Sequence, residues 1–384
     1  MTADSIAGLR VAVVHEWLQR YVGSERVLEQ MLHVLPQADL FAVADFLPPG
    51  ERGFIQNKPV RTSLIQRFPF ARRHFRKYLP LMPYAVEQFD LSAYDLIVSN
   101  SHAVAKGVLT SADQLHVCMC HSPMRYAWDL YHDYLRGEGL VRGLKSTLAR
   151  WVLHYLRIWD LRAAAGVDEF LANSRFIARR VRKTYGREAA VLYPPVDVEA
   201  FTPGGPKEDF YLAASRLVPY KRMDLVVEAF AKMPSRRLVV IGEGPQERRL
   251  RALAGPNVEL TGYQPADVLA DRMRRARAFV FAAKEDFGIV TVEAQACGTP
   301  VIAFGQGGSA ETVIDGKTGI LFDSQTTESL SAAVEQFEKR QGDFDPAAIR
   351  AHAETFGLQR WRREFAQLLQ DRWRRFRHES SAIR

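Results

Sequence analysis

Short β-rich segments alternate with helical stretches along almost the whole chain, and that alternation leaves few folds open. In the first half, strands are predicted near residues 9–15, 39–43, 95–99, 115–120, 168–172 and 190–193. The pattern returns near 209–214, 237–241, 257–261, 277–282, 300–304 and 319–322. Strands separated by helical stretches assemble into parallel sheets covered by helices on both faces. A Pro/Gly-rich run, from Tyr193-Pro194-Pro195 to Pro203-Gly204-Gly205-Pro206, divides the two series and suits a linker. A chain of 384 residues also exceeds what one core usually supports. The expected fold class is α/β, with two doubly wound Rossmann-like domains over 1–197 and 198–355. Ligand is expected at the carboxyl ends of the strands, in the cleft between the domains.

An apolar content of 47% and a charged content of 25% are those of an ordinary soluble protein. No apolar run approaches a membrane span. Met1-Thr2-Ala3-Asp4-Ser5 lacks a basic leader, and Val11-Ala12-Val13-Val14 is too short for a signal-peptide core. Cys118, Cys120 and Cys297 form no disulfide framework. These features predict a cytoplasmic protein. The net charge of +8 is unevenly placed. Arg61, Arg67, Arg72, Arg73, Arg76 and Lys77 interleave with Leu64, Ile65, Phe68, Phe70, Phe75 and Tyr78, with no acid among them. No nucleic-acid module is legible. Basic residues mixed with large apolar ones suit an interfacial segment, so 61–90 is expected to dock on an anionic membrane surface. From Arg360 onward, Trp361, Phe365, Leu368, Leu369 and Phe376 recur at helical spacing among arginines. That stripe is expected to dock on the protein itself, with the arginines in water.

Chemistry concentrates around Glu285 and Glu293, in Glu285-Asp286-Phe287-Gly288-Ile289-Val290-Thr291-Val292-Glu293. Residues 291–297 read as a helix stopped by Gly298 and Pro300. One carboxylate therefore sits on the loop and the other on the helix, with the amides of Phe287, Gly288 and Ile289 between them. Amides at a helix start attract phosphate, and carboxylates accept hydrogen bonds from sugar hydroxyls. Such an arrangement suits both ends of a nucleotide sugar, although two glutamates at this spacing also occur on ordinary solvated helices. Arg216 and Lys221 follow the strand Phe210-Tyr211-Leu212-Ala213-Ala214, a position suited equally to phosphate and to a solvated basic turn. Asp343-Phe344-Asp345 has the form of a metal-binding D-x-D string, but Pro346 follows directly, which makes Asp345 a helix N-cap. Cys118 and Cys120 precede His121 on an apolar strand and read as core. No metal site is expected.

The stretch from Phe279 to Phe322 closely resembles the donor-binding region of the retaining glycosyltransferases of family 4. The likeness runs through the E-x7-E motif, Ala294-Gln295-Ala296-Cys297-Gly298-Thr299-Pro300-Val301-Ile302, Gly307-Gly308, Glu311 and Asp315-Gly316-Lys317-Thr318-Gly319. It implies the GT-B architecture, with the nucleotide-sugar site between two Rossmann-like domains and a last helix, 356–384, crossing back to the N-terminal domain. Through it Arg216 and Lys221 are assigned to the diphosphate, Glu293 to the ribose hydroxyls and Glu285 to a hydroxyl of the donor sugar. Gly242 and Tyr263 would flank the base, and Phe287, Gly288 and Ile289 would line the donor. His121 would lie beside the transferred sugar, and Gly23 would let backbone approach phosphate, with Ser24 replacing the second glycine of the usual pair. His15, Arg125, Tyr126, Trp128 and Asp129 are the acceptor-side candidates, a packed loop being the other reading of the residues after His121.

Tyr78-Leu79-Pro80-Leu81-Met82-Pro83 and His121-Ser122-Pro123-Met124-Arg125-Tyr126-Ala127-Trp128-Asp129 resemble bacterial mannosyltransferases of exopolysaccharide and O-antigen assembly. The resemblance implies a metal-independent transfer from GDP-mannose to a polyprenyl-diphosphate-linked oligosaccharide at the cytoplasmic face of the inner membrane, with no cofactor. A UDP-sugar is the alternative donor, since base selectivity is not legible. A GT-B epimerase or an inactive membrane-associated scaffold would share the fold but should lack part of the E-x7-E, Arg216 and Lys221 set.

Overall fold

A computed structural model describes residues 6–382, so the segment Met1–Ser5 lies outside the described residues. Every strand read from the sequence is present, with one addition. The first half carries β1 (Val11–Leu18), β2 (Asp39–Asp45), β3 (Val60–Thr62), β4 (Leu96–Ser101), β5 (Leu115–Cys120), β6 (Glu169–Ala172) and β7 (Ala189–Val191). The second carries β8 (Tyr211–Ala214), β9 (Leu238–Ile241), β10 (Val258–Gly262), β11 (Ala278–Phe281), β12 (Val301–Phe304) and β13 (Gly319–Phe322). The unexpected strand is β3, three residues of the basic segment that pair in parallel with Leu40, Phe41 and Ala42.

The chain forms two compact units, one reaching Tyr193 and including the residues from Trp361, the other running from Pro194 to Arg360. The first unit holds a sheet in the order β3-β2-β1-β4-β5-β6-β7, the second one in the order β10-β9-β8-β11-β12-β13. All the pairings are parallel. Both sheets reverse their winding order beside their first strand, at β1/β4 and at β8/β11. The chain leaves the two central strands of each sheet in opposite directions there, β1 towards β2 and β4 towards β5, β8 towards β9 and β11 towards β12.

Both faces of the first sheet are buried, as its near-continuous apolar strands require. Val11 and Val13 pack on one side and Ala12 and Val14 on the other, the alternation of a strand. The helix Leu358–Ala382 completes the first of these cores with Trp361, Phe365, Leu369 and Trp373, which fall on one helical face. Arg362 donates to Gln30 Oε1 at 2.7 Å at the edge of that contact. Cys118 and Cys120 point together into a separate apolar cluster with Phe170, Ile177 and Val181.

Two further charges are fully buried in the first unit. Lys106 Nζ pairs with Asp160 and also donates to the Ala103 carbonyl at 3.0 Å. The remaining Asp160 oxygen accepts from Trp128 Nε1 and from the Tyr185 hydroxyl, each at 2.8 Å. Both Asp160 oxygens are thus occupied and the ammonium makes two hydrogen bonds, the kind of pairing under which a buried ion pair is tolerated. In the segment 61–90, Ser63, Ile65, Phe75, Met82 and Val86 belong to the core, while Phe70, Leu81 and Tyr84 stay exposed beside Arg67, Arg72, Arg73, Arg76 and Lys77. Among the described residues no helix is long and apolar enough to cross a membrane.

Replacing Asp160 by Ala strands a buried ammonium, and we expect a loss of about 3–5 kcal/mol in urea unfolding. Trp361→Ala removes a side chain with no exposed surface from the helix contact. It should cost about 3–5 kcal/mol by the same measurement. A midpoint close to the wild type in the second variant would mean that the C-terminal helix adds little to the first core.

Candidate functional site

In the second unit the chemistry gathers at the β8/β11 switch point. β8 ends at Ala214, and the chain turns through Ser215 and Arg216 into the short 3-10 turn Pro219–Lys221. Two glycines make this turn possible. A Cβ on Gly242 would lie 1.8 Å from the Ser215 carbonyl oxygen, and one on Gly244 would lie 2.5 Å from that of Leu217. The backbone after β9 therefore presses directly against the Arg216 loop, and Leu217 N donates to the Glu243 carbonyl at 2.9 Å. Arg222 follows in a left-handed conformation, φ 53°, which is costly for a residue with a side chain. Its guanidinium is held by Gln325 Oε1 at 3.2 Å, and Gln325 in turn donates to the Ala282 carbonyl at 2.7 Å.

Across the switch point, β11 delivers Ala282-Ala283-Lys284-Glu285. Lys221 Nζ donates to Glu285 Oε1, and the ammonium also lies 6.0 Å from the centre of the Phe281 ring. Gly288, at φ 84°, turns the chain into the helix Ile289–Ala296, which starts two residues earlier than the sequence suggested. The amides of Ile289 and Val290 fall in its first turn, where the helix supplies no acceptor. Gly298, at φ 67°, ends the helix as expected. Glu293 is buried on this helix, and Thr291 Oγ1 hydrogen-bonds Thr312 Oγ1 at 3.0 Å and the Gly288 carbonyl at 2.7 Å. The Glu285–Gly288 loop is seated on a second glycine pair. Gly308 N donates to the Glu285 carbonyl at 2.7 Å, and a Cβ on Gly308 would fall 2.2 Å from Phe287 Cα. One cation, one carboxylate and an open helix start thus meet at the carboxyl ends of the two central strands. Arg216 and Tyr263 are exposed, each just beyond the end of its strand.

The first unit builds a different cluster at its own switch point, β1/β4. The strand read near 9–15 runs on to Leu18, so Glu16 and Trp17 are strand residues beside His15. Asn100, near the end of β4, organises them. Its Nδ2 donates to the Ser24 carbonyl at 2.9 Å, and because a carbonyl can only accept, the amide orientation is fixed. The same Nδ2 faces His15 Nδ1 at 3.1 Å, so that nitrogen accepts and His15 Nε2 donates to Glu25 Oε1 at 3.3 Å. Asn100 Oδ1 then accepts from His121 Nε2 at 2.5 Å, leaving His121 Nδ1 as an acceptor. A chain Glu25–His15–Asn100–His121 results, with one tautomer for each ring.

Electrostatics agree with this geometry. Burial first, then the neighbouring His102 and His15, push the His121 pKa down to about 3, so the ring is neutral near pH 7. Burial raises Glu25, but His15, its own backbone amide and Ser24 outweigh it and hold the carboxyl below its ordinary value. Glu25 also caps the helix Gly23–Val34 from within, accepting from Val22 N at 3.3 Å, and Gly23 is that helix's first residue. Glu16 is fully buried and accepts from the Ser101 hydroxyl and from the amides of His102, Ala103, Val104 and Ala105. Its role is to hold the loop after β4.

The residues after His121 are mostly engaged within the unit. The Trp128 indole is tied to Asp160 at 2.8 Å, Asp129 pairs with Arg180, and the buried Tyr126 hydroxyl has no hydrogen-bond partner among the described residues. Sequence reasoning missed Asn100, Glu16, Glu25 and the Lys106–Asp160 pair. The usable signal for Asn100 was a run of polar residues, Ser99-Asn100-Ser101-His102, closing an otherwise apolar strand. Asp345 caps the helix Pro346–Glu354 through the amides of Ala347 and Ala348, as read from the sequence.

Residues 21–200 match the family pattern described as Glycosyltransferase Family 4, and residues 199–354 match Glycosyl transferases group 1. The chain has the two-domain build of a family 4 glycosyltransferase. Arg216, Lys221, Glu285 and Glu293 all lie in the second matched region. A D-inositol 3-phosphate glycosyltransferase of Geodermatophilus obscurus is 32% identical over 236 residues, 53% of this chain and 52% of that protein. A GDP-mannose-dependent alpha-(1-6)-phosphatidylinositol monomannoside mannosyltransferase of Mycolicibacterium smegmatis is 31% identical over 192 residues, 42% and 50% of the two chains. The matched region thus spans about half the length of these relatives. The crystal structure of Anabaena Alr3699/HepE with UDP and glucose superposes with a TM-score of 0.67 at 18% identity, covering 94% of this chain and 99% of that one. The fold is accordingly the two-domain α/β GT-B fold.

His116 and His121 are both buried bases with lowered pKa values, about 4 and about 3, burial being the largest cause in each. An unfolded histidine titrates near 6.5, so their stabilising contribution is complete above that pH and is lost as pH falls towards the folded values. Between pH 7 and pH 5 each should cost about 1–2 kcal/mol, read as a lower urea midpoint. An unchanged midpoint would show that the two rings are not desolvated.

Proposed function

We propose that this protein is a retaining glycosyltransferase that moves a sugar from a nucleotide diphosphate donor, with GDP-mannose the first choice, to a lipid-linked oligosaccharide. The observation that carries the reading is the meeting of Lys221, Glu285 and the start of the helix Ile289–Ala296 at the β8/β11 switch point. A diphosphate leaving group gathers negative charge as the glycosidic bond breaks, and fixed cations and amide dipoles stabilise it without reorganising. Lys221 and Arg216 supply the cations, and the amides of Ile289 and Val290 supply the dipoles. Glu285 aligns Lys221 in the free protein and is the acceptor for a donor-sugar hydroxyl. Glu293 binds the ribose hydroxyls.

In the transfer, the bond between the anomeric carbon and the diphosphate oxygen breaks as the acceptor oxygen bonds to the same face of that carbon. The acceptor proton passes to the departing phosphate oxygen, so no protein nucleophile is needed and configuration is retained. His121, neutral and oriented by Asn100, offers Nδ1 to a sugar hydroxyl. Fixed cations take the place of a metal in this reading. GDP-mannose is favoured by the likeness to the GDP-mannose-dependent mannosyltransferase of Mycolicibacterium smegmatis, whereas the UDP of the HepE complex favours a uridine donor. The exposed basic and aromatic residues of 61–90 suit an acceptor at a lipid surface.

Calorimetry with GDP-mannose, UDP-glucose, UDP-N-acetylglucosamine and their nucleoside diphosphates, in EDTA, should show selective binding of GDP and GDP-mannose. Lys221→Ala should weaken nucleoside diphosphate binding by about tenfold or more, the loss of a charge-assisted contact. Gly308→Ala should do the same by displacing the Glu285–Gly288 loop. Selective uridine binding would reassign the donor, and no binding to any nucleotide would overturn the glycosyltransferase reading.

A further inference from the structure

We propose that the outward face of the helix Leu144–Ala165, in the first unit, is a membrane-surface anchor that lies flat on anionic lipid. This assigns a second surface beyond the segment 61–90. The inner face of the helix is locked to the protein. Leu156, Asp160 and Ala164 are buried, the Trp159 indole donates to Glu87 Oε1 at 2.6 Å, and Asp160 holds Lys106. A Cβ on Gly107 would lie 2.2 Å from the Trp159 ring, so this contact leaves no room for the helix to rotate. What faces water is therefore fixed.

That outer face is apolar where a surface helix is normally polar. Leu144 is 89% exposed, Leu148 67%, Trp151 72%, Tyr155 41% and Ile158 59%. Their spacings of four, three, four and three residues bring them onto one narrow stripe. A contiguous exposed stripe of this size marks an interaction surface. Its charge selects the occupant. Arg142, Lys145 and Arg162 flank the stripe and are exposed, while the only carboxylate between Leu144 and Ala165 is Asp160, buried on the opposite face. A second copy of this chain would bring like charges together along the seam, where paired helices use opposite ones. An anionic lipid surface complements both the apolar stripe and its cationic flanks, and Trp and Tyr favour the headgroup level. Exposed Tyr84 stands on the helix Met82–Glu87, whose Glu87 holds the inner face of the helix Leu144–Ala165 through Trp159.

The test compares three full-length proteins by co-sedimentation with phosphatidylcholine vesicles, with and without phosphatidylglycerol. They are the wild type, the Leu148→Ser/Trp151→Ser/Ile158→Ser triple variant and the Arg72→Glu/Arg73→Glu double variant. The wild type should bind only the anionic vesicles, and the triple variant should bind about tenfold or more weakly. All the substituted residues are exposed, so unfolding midpoints should match the wild type. Trp151→Phe should abolish a lipid-dependent blue shift and its quenching by brominated lipid. Undiminished binding of the triple variant, with loss in the double variant, would overturn the proposal and leave the 61–90 reading standing. No binding by the wild type would overturn both. A wild-type dimer that the triple variant converts to monomer, without vesicle binding, would make a second copy the occupant and overturn the lipid proposal.

Discussion

A parallel sheet that reverses its winding order cannot cover the carboxyl ends of the two strands at the reversal, and the rest of this structure depends on that constraint. The chain leaves β1 towards β2 and β4 towards β5, and likewise leaves β8 towards β9 and β11 towards β12, so the connections at each reversal diverge to opposite sides. In the second unit this gap collects Lys221, Glu285 and the start of the helix Ile289–Ala296. In the first it collects His15, Asn100, Ser101 and, one strand further out, His121. The same topology is used twice with different chemistry: one cluster suits phosphate and sugar hydroxyls, the other orients two imidazole rings.

Close backbone approach is the second condition. Gly242 and Gly244 let the chain after β9 touch the Arg216 loop, and Gly307 and Gly308 let the chain after β12 touch the Glu285 loop. Side chains at these four positions would drive the loops apart before any ligand arrived. The left-handed Arg222 beside Lys221 is consistent with strain held at a functional loop by surrounding contacts, here Gln325 and Asp224.

Much of the fold was legible because its signals are local. Strand positions followed from short apolar runs, the Asp345 cap from the proline after it, and the end of the helix Ile289–Ala296 from Gly298. The stripe of Trp361, Phe365 and Leu369 announced a docked helix, though not its partner surface. β3 was missed because three residues embedded in a basic segment carry too little pattern to separate a strand from an interfacial stretch. The helix start at Ile289 was misplaced because Gly288 can end a loop at several points, and only its φ of 84° chooses one.

The sequence by itself determined the parallel architecture, since the apolar runs of the strands and the helical stretches between them are local patterns. Tertiary structure decided the partnerships. Glu285 and Lys221 are far apart in sequence, as are Asn100 and His15 or Lys106 and Asp160, and no local pattern encodes which polar group will satisfy which. It also decided exposure. Leu144, Trp151 and Tyr155 are large and apolar, and they face water because Trp159 and Asp160, on the same helix, are already held by the interior.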